Sequence, residues 1–161
     1  MNSAPCILLA EDDPDEVFLV RWAFKRAGVA CDIIDLRDGE AVIDYLDGAP
    51  PFNDRAHHRF PDLLVLDLKM PKVNGFDVLS WLGKRSDLTA LPVVVLSASV
   101  FPAEAQRALQ LGAREFLVKP NDLQELVETL KGLHERWLSH NFSNAVFVPT
   151  FDGRSQAENW P

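Results

Sequence analysis

Four short apolar runs, each closed by polar residues, constrain this chain more than anything else in it. Cys6-Ile7-Leu8-Leu9-Ala10 comes before the acids Asp12 and Asp13, Leu63-Leu64-Val65-Leu66 before Asp67, Val93-Val94-Val95-Leu96 before Ser97, and Phe116-Leu117-Val118 before Lys119. None of these runs alternates apolar with polar residues, and Val93-Val94-Val95 is wholly β-branched. That is the pattern of strands buried on both faces. In an open parallel sheet the carboxyl ends of the strands share one edge, and ligands bind there. Three carboxylates, a hydroxyl and an ammonium gathered on that edge point to a magnesium and phosphoryl site.

Between the runs the apolar spacing becomes helical. Strand 6–10 precedes a helix over 14–27 with the stripe Val17, Val20, Phe24 and Ala27, and Gly28 ends it. Strand 31–36 precedes a helix over 39–47 that turns Val42, Tyr45 and Leu46 inward. A loop from Gly48 to Pro61, rich in Pro, Asp, Arg and His, leads to strand 63–67 and a helix over 75–85. Strand 93–97 leads to a helix over 102–111, and strand 115–118 to a last helix over 121–139 with the stripe Leu123, Leu126, Leu130, Leu133 and Trp137. Strict strand–helix alternation predicts a parallel sheet with helices on both faces, and right-handed crossovers leave few topologies. The expected folded unit spans 1–139. The segment 140–161 is an extension carrying Phe142, Phe147, Phe151 and Trp160, which either frays or docks on its own domain or on a second subunit.

The 161 residues suffice for one domain with a substantial core. No apolar stretch approaches the roughly 20 residues of a membrane span, and Met1 to Pro5 has no signal-like character. A cytoplasmic protein with no membrane association is expected, with Cys6 and Cys31 as small buried residues. The net charge of −8 argues against nucleic-acid binding, which needs clustered Lys and Arg.

Each polar residue also has a structural reading. Asp13-Pro14-Asp15-Glu16 is a good helix start, with a capping Asp, proline at the first helical position and acids in the first turn. Ser97 can be a turn residue, Lys119 half of an ion pair and Phe116 a plain core residue. Asp67 is harder to explain this way, because a carboxylate directly after four buried apolar residues needs a partner or a cation. Independent accidents at every strand end are less economical than one site. His57 and His58 read as solvated loop residues, and Trp22 and Trp81 as partly buried helix residues.

The segments Ile7-Leu8-Leu9-Ala10-Glu11-Asp12-Asp13, Asp67-Leu68-Lys69-Met70-Pro71 with Gly75, Ser97-Ala98 and Lys119-Pro120 together resemble the receiver domain of two-component response regulators. The resemblance covers residues 5–138. The loop 48–61 and the long last helix are most similar to single-domain receivers paired with phytochrome-type histidine kinases. It implies an α/β, flavodoxin-like, doubly wound five-stranded parallel sheet of order 2-1-3-4-5 with five helices. It implies Asp67 as phosphoacceptor, with Ser97 and Lys119 holding the phosphoryl group. The implied Mg2+ ligands are Asp13 and Asp67 directly, Asp12 through water, and the backbone carbonyl of Lys69. Ser97 and Phe116 are the implied switch residues, and Lys119-Pro120 an implied cis peptide. Phe116 stands where many receivers have Tyr, so a phenolic hydrogen bond is lost.

The expected function is a single-domain response regulator that takes phosphate from a sensor histidine kinase and catalyses only its own phosphorylation and dephosphorylation. Its output would pass to a downstream protein, and a homodimer through the last helix is expected. A phosphate-ester hydrolase is the competing enzyme reading. Such enzymes place a second acid two positions after the nucleophile, where this chain has Lys69. A silent scaffold is the third reading, and the complete residue set argues against it.

Overall fold

In the computed structural model, residues 3–139 and 150–152 are described. The elements run β1 (Cys6–Ala10), α1 (Pro14–Arg26), β2 (Asp32–Leu36), α2 (Gly39–Asp47), β3 (Leu63–Leu66), α3 (Gly75–Gly83), β4 (Val93–Ser97), α4 (Pro102–Gln110), β5 (Glu115–Val118), α5 (Leu123–Trp137) and β6 (Thr150–Asp152), with a single 3-10 turn at Ser86–Leu88. The sheet order is β2-β1-β3-β4-β5-β6 and every pairing is parallel. The expected five strands, order 2-1-3-4-5 and five helices are all present.

Strand β6 is the addition. Its pairing matches Glu115 with Thr150, Phe116 with Phe151 and Leu117 with Asp152. That part of the extension docks on the sheet edge; Phe142, Phe147 and Trp160 lie outside the described residues. The Lys119–Pro120 bond is not cis, and the one cis peptide among the described residues is Pro50–Pro51.

The unalternating strands are explained by two cores. On one face Leu8, Ala10, Leu64, Leu66, Val95 and Phe116 pack under α2, α3 and α4. On the other, Ile7, Leu9, Leu63, Val65, Leu96 and Leu117 pack under α1 and α5. Adjacent residues of one strand thus enter opposite cores, and every position is apolar. Helices α2, α3 and α5 start where short polar side chains cap them. Asp38 accepts from Ala41 N–H at 2.8 Å, Asn74 from Asp77 N–H at 3.0 Å and Asp122 from Glu125 N–H at 2.9 Å.

The loop 48–61 is more ordered by its own contacts than a solvated loop. Tyr45 and Phe52 rings lie 5.1 Å apart, and His58 meets both edge-on at 6.0 and 5.4 Å. His58 is therefore half-buried, contrary to the solvated reading, because two aromatic neighbours cover it. His57 is exposed and sits 2.6 Å from Asp54.

Leu130 is fully buried between α5 and the sheet, whereas Phe18 is 66% exposed on α1. Leu130→Ala should lower unfolding free energy by about 2–5 kcal/mol in urea titration. Phe18→Ala should change it by no more than about 0.5 kcal/mol.

Candidate functional site

The carboxyl ends of β1, β3, β4 and β5 bring five polar groups to one edge of the sheet. Asp67 follows β3 directly and is 8% exposed, with its N–H donating to Ala10 O at 3.0 Å. Lys119 follows β5, and its N–H donates to Ser97 O at 2.8 Å, which fixes it beside the end of β4. The Lys119 side chain crosses the strand ends to β1 and β3. Its Nζ donates to Glu11 Oε2 at 2.5 Å and to Asp67 Oδ2 at 3.2 Å, and lies 3.8 Å from Glu16 Oε2.

Glu11 is the residue that sequence reasoning missed as a site member. It comes immediately after β1, is 3% exposed, and also accepts the Asp13 N–H at 3.1 Å through Oε1. Glu11, Asp12 and Asp67 each offer an oxygen, all within 4.8 Å of one another. Asp13, placed by sequence among the direct metal ligands, is not in this group. Its carboxylate accepts the Asp15 N–H at 2.9 Å and caps α1, with Pro14 at the first helical position. This is the geometry of the capping reading. Proline fixes where the helix starts, and the residue before it folds its side chain back onto the helix.

Ser97 is 1% exposed and its Oγ accepts the Ser99 N–H at 3.2 Å. The backbone thus occupies an acceptor site of Ser97 and leaves its O–H to donate. Phe116 lies wholly inside the core beneath α4. Lys69 is exposed beside the site. Gly75 closes in behind the Asp67 loop, with its N–H donating to Leu68 O at 3.0 Å.

Charge at this edge is unbalanced. One ammonium faces Glu11, Asp67, Glu16 and the neighbouring Asp12. The Glu11 carboxyl is pushed up to about 7, chiefly by burial, with Lys119 pulling it down and Asp67 raising it. Burial acts to lower the Lys119 ammonium, but Glu11 and Asp67 outweigh this and hold it above its usual value. The donor set is all hard oxygen, which suits magnesium, calcium or manganese rather than a soft metal. The residues present fit a divalent cation.

The raised Glu11 value gives a signed prediction. The fold favours the protonated carboxyl, so this contribution to stability is present below the ordinary value of 4.5 and is lost as pH rises through about 7. In metal-free protein the carboxyl carbon resonance of Glu11 should titrate near pH 7. A midpoint at or below 4.5 contradicts the burial described here.

The profile of the response regulator receiver domain family matches residues 7–131. The chain is 36% identical over 137 residues to the probable methanogenesis regulatory protein FilR2 of Methanothrix harundinacea, across 85% of this chain and 86% of that protein. It is 31% identical over 137 residues to response regulator Rcp1 of Synechocystis, across 85% and 91%. The crystal structure of the Mn(2+)-bound form of Rcp1 superposes with a TM-score of 0.76 at 30% identity, covering 88% of this chain and 99% of that one. The phosphorylated cyanobacterial phytochrome response regulator RcpA gives a TM-score of 0.78 at 30% identity, covering 85% and 96%. Strand order, the acidic edge and these matches agree, and the chain belongs to the response regulator receiver domain family.

Proposed function

We propose that this chain is a phosphoacceptor response regulator in which Asp67 takes a phosphoryl group from a histidine kinase of the phytochrome type. The observation that carries this reading is the Lys119 ammonium, 3.2 Å from Asp67 Oδ2, beside the oxygen cluster of Glu11, Asp12 and Asp67. A nucleophile, a fixed positive charge and a hard-cation site share one edge.

Asp12 and Asp67 would hold magnesium, with the Lys69 carbonyl as a further oxygen and Glu11 reaching it through water. When bound, magnesium supplies positive charge against the phosphoryl oxygens. Asp67 presents a carboxylate oxygen to the phosphorus of the donor phosphohistidine. The new P–O bond forms as the P–N bond breaks, and the electron pair stays on the imidazole nitrogen. Such transfers pass through loose transition states, so positioning and charge neutralisation do most of the work. Lys119 then turns from Asp67 to the bound phosphoryl oxygens, and the Ser97 O–H donates to another.

Phosphorylation adds roughly −1.5 to −2 charges at this edge. Ser97 and Phe116 are the switch residues that answer it, on β4 and β5. Phe116 has no hydroxyl, so its response is a packing change and not a surface hydrogen bond. The signal passes to a downstream protein in the cytoplasm, with self-association through the α5 region. No helix among the described residues is long and apolar enough to cross a membrane. Lys69, two positions after Asp67, offers no second acid for steady hydrolysis of phosphate esters.

Incubation with a divalent cation and a small acyl phosphate should add the mass of one phosphoryl group. Asp67→Asn should abolish the gain, and an unchanged wild-type mass contradicts the reading. Asp12→Asn should remove magnesium binding. Asp13→Ala should retain it while lowering stability by about 0.5–2 kcal/mol through loss of the cap. Loss of magnesium binding in Asp13→Ala would restore Asp13 to the ligand set. Sedimentation of the phosphorylated protein should show a dimer; a monomer at high concentration removes the self-association.

A further inference from the structure

The loop that leaves Asp67 is squeezed between two glycines that are distant in sequence. Gly75, at the start of α3, lies so close to the site strand that a Cβ there would sit 2.4 Å from Asp67 O and 2.8 Å from Leu68 Cα. On the loop's other side is Gly39, the first residue of α2. A Cβ on Gly39 would sit 2.2 Å from Val73 O and 2.9 Å from Val73 Cβ, and the Gly39 N–H donates to that same carbonyl at 2.9 Å. Neither glycine has a positive φ, so close approach and not backbone freedom excludes a side chain there.

Lys72 lies between these contacts. It is the one non-glycine residue with positive φ among the described residues, at 62°. That conformation is unfavourable for a residue with a Cβ. Its ammonium reaches the α2 start, 3.6 Å from Asp38 Oδ2 and 3.7 Å from Glu40 Oε2. Asp38 meanwhile caps α2 through Oδ1. One short turn thus grips the loop by a backbone hydrogen bond, a steric contact and a pair of ionic contacts. The ionic part is weak because Lys72 is 62% exposed. The steric part is strong because backbone carbonyl faces backbone.

We propose that the start of α2 positions the loop that presents Asp67 and the Lys69 carbonyl, through Gly39 and secondarily through the contacts of Asp38 and Glu40 with Lys72 of that loop. Gly39 and Lys72 are positioning residues that act through Val73 and the loop backbone, and neither touches the reacting atoms. The inference rests on the proposed role of Asp67, but its first readout does not need that role. A shift of the α2 start is felt at the site because Val73 lies two residues before Gly75, which itself abuts Asp67.

The test uses the full chain and manganese as the probe. Gly39→Ala should shift the amide resonances of residues 67–75 in cation-free protein. It should also weaken manganese binding by roughly tenfold or more, as loss of outer support does at other metal sites. Leu46→Ala, buried on the same helix, should lower the melting temperature and leave the manganese affinity of the folded protein within about twofold. If Gly39→Ala does not fold, Lys72→Glu serves. It should shift the same amides and weaken manganese binding several-fold, with partial recovery when Glu40→Lys is added. Resonance changes confined to residues 36–43, or an affinity unchanged in the folded variant, would overturn the proposal. A wild-type protein that binds no manganese would instead overturn the role given to Asp67, while the amide shifts still decide the role of Gly39.

Discussion

The Lys119 ammonium, within 2.5 Å of Glu11 and 3.2 Å of Asp67, ties the end of β5 to the ends of β1 and β3. Neither strand neighbours β5: β4 separates it from β3, and β4 and β3 separate it from β1. The side chain therefore spans the sheet's active edge and holds its acids at fixed separation. One positive charge cannot neutralise the acids around it. The residual negative charge suits the edge to a divalent cation, and in the proposed function the same ammonium is the one offered to a phosphoryl group.

Asp67, Ser97 and Lys119 were legible because parallel strands leave a clear trace, an apolar run that stops abruptly. The polar residue at the stop is directed to the ligand edge whatever the crossover lengths. In the acidic run after β1 the resemblance implied Asp12 and Asp13 as ligands, whereas Glu11 and Asp12 are the two whose oxygens gather with Asp67. Glu11 is the first residue beyond the strand, as Asp67 is beyond β3, and Asp13 sits immediately before Pro14. Capping chemistry and ligand chemistry both favour Asp, so composition cannot separate them. Asp13 directly precedes Pro14, the first helical residue, and its carboxylate accepts the Asp15 N–H as the α1 cap.

What was not legible depends on contacts between distant segments. Strand β6 is three residues long, and nothing in Thr150-Phe151-Asp152 specifies a strand without the β5 edge to pair with. His58 looked solvated until Tyr45 and Phe52 were placed against it. Gly39 opens the helix expected over 39–47, and only its approach to Val73 shows why a side chain is excluded there. Local pattern determined the elements and their order, while close approach between loops determined the geometry at the site.

Crystals grown with manganese and measured at its anomalous edge test the electrostatic picture most directly. A peak between the carboxylates of Asp12 and Asp67, with Glu11 behind it and the Asp13 side chain still on the α1 N-terminus, is the result required. A peak on Asp13, or no peak at the acidic edge at saturating manganese, would contradict it.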